Sequence, residues 1–291
     1  MSSDMRFDTR TAIITGAGGG LGRAHALLLA SRGANVVVND LKGAETVAEE
    51  IRAQGGTAIA HTGSVSEGGA LVEAALTAFG RIDILINNAG ILRDVALHNM
   101  SEQDWSDIYE VHLLGAFRIT RAAWPHMRGQ AYGRIINTSS AAGIYGNFGQ
   151  TNYSTMKLAL HGFTQALAAE GRSKNICVNT IAPAADSQLT RTVMSEAQLA
   201  PMRADYVSPL AAYLCHESVS ESGGLYEVGG GFFAKLRWQR SDGVVIAPDD
   251  ISIESVARHW GDITGFERAH FPANFADGMK PFAEIMAKGA S

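Results

Sequence analysis

Short apolar runs alternate with longer segments whose apolar positions recur every three or four residues. Thr11–Thr15, Asn35–Asn39, Thr57–His61, Ile82–Ile86, Arg134–Thr138 and Ile176–Ile181 are compact and rich in β-branched residues, and Leu225–Val228 closes the series. Between them Leu21–Ser31, Ala44–Gln54, Gly68–Phe79, Asp104–Met127, Asn152–Gly171 and Ala204–His216 have helical periodicity. Near-continuous apolar strands alternating with helices predict an α/β fold. Its core is a doubly wound, Rossmann-type parallel sheet of about seven strands covered on both faces. The pattern stops near Gly231. Residues 1–231 therefore read as one nucleotide-binding-type domain, and 232–291 as a C-terminal extension packing on the core or on a partner subunit. In that extension Phe232–Arg240 and Val244–Ile246 read as strands. Ser252–Trp260 reads as a helix capped by Ser252.

Chemistry gathers where strands run out. The first strand passes into Thr15-Gly16-Ala17-Gly18-Gly19-Gly20-Leu21-Gly22 and at once into a helix. Glycines there permit a tight turn and close approach of a pyrophosphate to a helix N-terminus, so Gly16, Gly20, Leu21 and Gly22 are candidate cofactor contacts. Asp40 ends the second strand, and Leu41 rather than an arginine follows it. A carboxylate at that place accepts bonds from ribose hydroxyls and repels an added phosphate, which favours NAD over NADP. Ser64 and Val65, after the third strand, and Asn87, Asn88, Ala89 and Gly90, after the fourth, fall on the same edge and are read as cofactor contacts.

Tyr153 and Lys157 are four apart on one helix face, and Ser140 ends the fifth strand. A cation beside a phenol lowers its pKa and makes it a usable acid–base group, and a nearby hydroxyl can orient a substrate oxygen. Alone, a tyrosine and a lysine at this spacing describe a surface pair equally well.

Composition removes several alternatives. The net charge of −5, with no long basic run, argues against nucleic acid as a partner. No apolar run reaches a membrane span, and Met1–Arg10 lacks the apolar stretch of a signal peptide. Cys177 and Cys215 are far apart, which suits a reducing compartment, and the expected location is cytoplasmic. The nine histidines show no metal-ligand spacing, so no metal is expected.

In this order the motifs resemble the short-chain dehydrogenase/reductase family over roughly residues 7–231: Thr-Gly-x-x-x-Gly-x-Gly, Asn-Asn-Ala-Gly, Ser, and Tyr-x-x-x-Lys. The resemblance implies Ser140, Tyr153 and Lys157 as catalytic residues, with Tyr153 and Lys157 also touching the cofactor. Ala185 and Ser187 fall in a nicotinamide-side loop, which here carries an unusual Asp186. His112 stands where the family often has an asparagine in its proton relay, and either takes part in that relay or merely packs.

Further stretches resemble the (3R)-hydroxyacyl-CoA dehydrogenase modules of peroxisomal multifunctional enzymes, also known as 17β-hydroxysteroid dehydrogenases. They are Gly90-Ile91-Leu92-Arg93-Asp94, Ile144–Gln150, Leu214–Ser218 and Lys235–Trp238. This implies NAD-dependent oxidation of an acyl-CoA or steroid-CoA substrate by a stand-alone bacterial-type enzyme, expected to be a homodimer or homotetramer. Lys235, Arg237 and Arg240 are then candidates to meet CoA phosphates. The spacing of Ile108, Val111, Gly115 and Ile119 suits packing between subunits or within one. A dehydrogenase of free 17β-hydroxysteroids, an NADPH-linked acetoacetyl-CoA reductase and a non-catalytic dinucleotide-binding scaffold are the rival readings.

Overall fold

A computed structural model of the chain describes residues 5–185, 195 and 200–289. Six strands form a parallel ladder: β1 (Thr11–Thr15), β2 (Asn35–Asp40), β3 (Thr57–Thr62), β4 (Ile84–Asn87), β5 (Gly133–Thr138) and β6 (Ile176–Pro183). β7 (Leu225–Gly229) adds to β6, also in parallel. The sheet order is β3-β2-β1-β4-β5-β6-β7-β8, so the progression of strands across the sheet reverses between β1 and β4, where doubly wound sheets open a ligand crevice.

The eighth strand, β8 (Phe232–Leu236), is one more than the sequence pattern predicts for the sheet. Gly230 and Gly231, both at positive φ, turn the chain back beside β7, a connection too short for anything but an antiparallel return. The strand expected over Phe232–Arg240 is thus present over Phe232–Leu236, as an edge of the main sheet rather than part of a separate extension.

Alternation along each strand builds the two covered faces. Ala12, Ile14, Val36, Val38, Ile84 and Ile86 face α1 (Gly20–Ser31) and α2 (Ala44–Ala53). Ile13, Val37, Leu85, Ile135 and Val178 face α3 (Gly68–Phe79) and the helices after it. Ser101 starts α4 (Glu102–Ile108) with a reciprocal capping box to Asp104. The predicted single helix over Asp104–Met127 is interrupted. After α4 comes a π-helical turn, Tyr109–Leu114, and then α5 (Gly115–Gln130). Ile108 and Ile119 have no exposed surface and Gly115 is buried, so that apolar stripe is spent inside the subunit. Two helices follow β5: α6 (Ala141–Tyr145), which the sequence did not suggest, and α7 (Thr151–Gly171). α8 (Ser208–Cys215) precedes β7, and both cysteines are buried and free.

The chain divides into two compact units, Met1–Lys235 and Leu236–Ser291. The second contains α9 (Ile253–Arg258), capped by Ser252 and Ser255, α10 (Trp260–Thr264) and α11 (Phe275–Gly289). Val244–Ile246 forms no strand. Gly243 turns ahead of it at φ 71°, and Val245 is 71% exposed. Among the described residues no helix is long and apolar enough to cross a membrane.

At the amino edge of the sheet the Asp83 carboxylate has no exposed surface. It accepts from the Thr11 N–H (2.9 Å), both arms of Arg81 (2.7 Å each) and Arg10 (3.1 Å). Removing it orphans a buried N–H and leaves two guanidinium groups facing each other. Asp83→Ala is expected to lower the unfolding free energy by about 3 kcal/mol in chemical denaturation.

Candidate active site

The crevice opens past the ends of β1 and β4, and Thr15 bridges the two. Its hydroxyl accepts the N–H groups of Asn88 and Ala89 (3.0 Å each), and its carbonyl accepts the Asn88 amide at 3.0 Å. Asn88 also reaches the Gly16 carbonyl at 3.2 Å. Asn88 therefore fastens the glycine loop to the end of β4, and its amide is committed to the protein. Asn87 points into the interior. It donates to Asn137 (2.9 Å) and Thr120 (3.1 Å), and Asn137 continues to Thr164 at 2.8 Å.

Gly16 turns at φ 63° and Gly20 at φ 53°. A Cβ on Gly22 would lie 2.2 Å from the Gly16 carbonyl, and one on Gly18 would overlap the Lys42 carbonyl. The loop is thus closed from behind by backbone. α1 begins without any side-chain cap, leaving its first N–H groups directed out of the loop. Asp40 holds the loop from the side, accepting from Gly18 N at 2.9 Å and Lys42 N at 3.3 Å. A carboxylate has about four acceptor sites, so others stay open to a ribose. This cradle fits a dinucleotide: a turn that a side chain at Gly18 or Gly22 would break, uncapped amides for a pyrophosphate, and a carboxylate beside them. Ser64 caps its own turn through Ser66 N (3.2 Å), and Val65 is buried against Gly115.

Tyr153 is the third residue of α7, with Lys157 one turn on. The Lys157 ammonium is buried and donates to the Thr138 carbonyl at 2.6 Å. Its Nζ lies 5.5 Å from the centre of the Tyr153 ring. Ser140, the cap of α6, stands beside the Tyr153 phenol and favours its ionised form. The structure therefore brings Ser140, Tyr153 and Lys157 together at the carboxyl ends of β5 and β6. Ala185 is buried just beyond β6, whereas Asp186 and Ser187 lie outside the described residues.

The ionisation balance differs from the sequence expectation. A lysine-depressed phenol was expected, but burial dominates and raises the Tyr153 pKa. The Ser140 hydroxyl works against this, and the charge of Asp94 adds to it. Burial acts on the lysine as well, pushing it down to about 7. His112 sits in the π turn, buried, its ring edge-on to Tyr153 at 5.3 Å. Burial first, then the Lys157 charge, lower it to about 3, so it is neutral at working pH. Its Nε2 meets the Ile91 backbone at 2.8–3.0 Å, and its Nδ1 is buried without a hydrogen-bond partner. Gly90 makes room for this ring, since a Cβ there would lie 2.5 Å from it.

Sequence reasoning missed Asp94 and Asn152 as parts of the site. Asn152 has no exposed surface and ties α7 to the Arg93 and Asp104 carbonyls (3.1 Å each). The only sequence signal was its place beside Tyr153. The basic group reaches partners within the chain. Lys235 pairs with Glu221 (2.6 Å), Arg237 lies over the Phe271 ring (3.6 Å), and Arg240 donates to the Gly278 carbonyl (2.9 Å).

Residues 10–199 match the family model for short chain dehydrogenases. The chain is a short-chain dehydrogenase. Such enzymes act on a CH–OH group with NAD or NADP. The peroxisomal multifunctional enzyme type 2 of Mus musculus is 48% identical over 99% of the chain, which spans 41% of that protein. The full-length enzyme of that name from Drosophila melanogaster superposes with a TM-score of 0.86 at 41% identity, over 98% of this chain and 50% of the other. A 7α-hydroxysteroid dehydrogenase complexed with NADH and a 7-oxo bile acid is 31% identical. It superposes with a TM-score of 0.74, covering 79% of this chain and 97% of the other. This short-chain dehydrogenase is thus related to a module of larger enzymes and spans about half their length or less.

Two outcomes check the site. Gly22→Ala is expected to weaken NADH binding about tenfold or more in a fluorescence titration, because its Cβ has only backbone to displace. Lys157→Met reports the buried cation. The unfolded lysine titrates near 10.5 and the folded one near 7, so between these values the unfolded chain binds more protons. The stability of the wild type should therefore climb relative to the variant from pH 7 to 10.5, and be lowest against it below pH 7.

Proposed function

We propose that this enzyme oxidises a (3R)-3-hydroxyacyl-CoA, with a fatty or steroid side-chain acyl group, to the 3-ketoacyl-CoA using NAD. The convergence of Ser140, Tyr153 and Lys157 beside the glycine cradle carries the reading of the reaction. The similarity to multifunctional enzyme type 2 along almost the whole chain supports the substrate class. Asp40 without a following arginine supports NAD, as does the NADH in the related hydroxysteroid dehydrogenase.

In the proposed reaction the Ser140 hydroxyl orients the substrate oxygen, and the Tyr153 phenolate takes its proton. The nicotinamide cofactor supplies the hydride acceptor. Gly16, Gly20, Leu21 and Gly22 would hold its phosphates, Asp40 its adenosine ribose, and Ser64, Val65, Ala89, Gly90 and Ala185 its rings. Lys157 would hold the nicotinamide ribose and place positive charge beside the phenol. His112, neutral and bonded to Ile91, positions the Tyr153 ring by packing rather than by titrating. Since burial raises the Tyr153 pKa, oxidation should gain rate with rising pH and ketone reduction should gain it with falling pH.

Tyr153→Phe is expected to cut turnover by about a thousandfold or more while NADH binding persists; retained turnover overturns the mechanism. A panel followed by NADH absorbance tests the substrate: a straight-chain (3R)-3-hydroxyacyl-CoA, a steroid side-chain hydroxyacyl-CoA, their (3S) isomers and a free 17β-hydroxysteroid. Turnover of a (3R) CoA thioester is the expected result. Turnover of the free steroid alone would favour the second reading, a hydroxysteroid dehydrogenase, which the match to such an enzyme over 97% of its length supports.

A further inference from the structure

Tyr153 stands where a helix is weakest. It is in the first turn of α7, and the residue ahead of the helix, Gln150, gives no side-chain cap to it. First turns fray, and a frayed turn would carry the phenol away from Ser140. The chain ahead of α7 is instead sewn to the segment that follows β4. Val95 N–H donates to the Gly149 carbonyl at 2.8 Å, and the Gln150 amide donates to Asp94 Oδ2 at 2.7 Å. The Asn152 amide donates to the Arg93 carbonyl at 3.1 Å. The three bonds run in antiparallel order, 95 to 149, 94 to 150 and 93 to 152. Asn147 steadies the middle one by donating to Gln150 Oε1 at 2.9 Å, which orients the amide so that its NH₂ faces Asp94. Arg93 is fixed in turn by Asp107 at 3.1 Å.

We infer that Asp94, acting through Gln150, is a positioning residue for proton transfer: its carboxylate, bonded to the residue just ahead of α7, clamps the turn that carries the Tyr153 phenol. The inference rests on Tyr153 as the proton-transferring residue. The titratable and polar groups facing that phenol come from three elements. They are Lys157 on its own helix, His112 in the π turn and Ser140 after β5, with Asp94 after β4 held through Gln150 to the turn that carries the phenol. Lys157 is the one cation of the set, His112 is neutral, and Asp94 is the one anion. Its charge favours the protonated phenol, in the direction expected of a carboxylate near a phenolate. Gln150 is 8% exposed and is the only side chain recorded as donating to Asp94 among the described residues, so clamp and charge depend on the same contact.

The two roles separate by substitution. Asp94→Asn keeps an acceptor for Gln150 and removes the charge. The alkaline-rising limb of kcat for alcohol oxidation should move to lower pH by about 0.3 unit or more. KM for NAD should stay within about twofold, since no cofactor contact changes. Gln150→Ala removes the clamp and is expected to lower kcat about tenfold, with the melting temperature within a few degrees of wild type. A pH profile unmoved in Asp94→Asn together with unchanged kcat in Gln150→Ala overturns the inference. So does a loss in either variant that tracks a fall in melting temperature. Tyr153→Phe, assayed alongside, keeps the two readings apart. If it retains turnover, the mechanism itself has failed. If it is dead while both clamp variants behave as wild type, only the positioning role has.

Discussion

The Thr15 hydroxyl holds the molecule's working edge open. A threonine at the end of β1 takes the two N–H groups at the end of β4. This satisfies the backbone where two parallel neighbours part company, and it fixes how far they part. The glycine loop hangs from one side of that divergence, and the segment carrying Gly90, Ile91 and Asp94 from the other. Asn88 then locks the two sides together through the Thr15 and Gly16 carbonyls. The glycine cradle and the segment after β4 are positioned against this knot. Buried polar atoms with satisfied bonds give it direction that hydrophobic packing alone would not.

Behind the knot lies a second polar layer. Asn87, Asn137 and Thr164 pass hydrogen bonds from β4 through β5 to α7, and Thr180 on β6 donates to Thr164 at 2.8 Å. The helix carrying Tyr153 and Lys157 is therefore registered on the sheet by geometry as well as by apolar contact. This register places a lysine head in a dry position with one carbonyl as its partner. The same dryness acts on the tyrosine and the histidine beside it, and it pushes all three toward their uncharged forms.

Much of this was legible in the sequence. Strand and helix alternation gave the doubly wound sheet, because buried parallel strands leave a plain apolar signature at Ile13, Val37, Leu85 and Val178. Glycines and a carboxylate at strand ends marked the crevice. The π turn was not legible, since one added residue barely disturbs the periodicity from Trp105 to Met127. The strand at Phe232 was legible, but its place as an edge of the main sheet was not, because Phe232 and Phe233 are exposed and do not alternate cleanly. The direction of the Tyr153 shift was missed because spacing shows which charges are near and says nothing of how much water is left. Asn152 and Asp94 were passed over because their partners are a backbone carbonyl and an amide far off in sequence.

Asp40 has a consequence for how such an enzyme can change over time. One of its oxygens secures the Gly18 N–H, and the other leans toward Lys42. A substitution that made room for an extra phosphate would also release the loop that receives the pyrophosphate. Cofactor preference and loop order are coupled in a single side chain. A lineage altering the first must acquire a second change to restore the other, and a variant caught between the two steps binds either dinucleotide poorly.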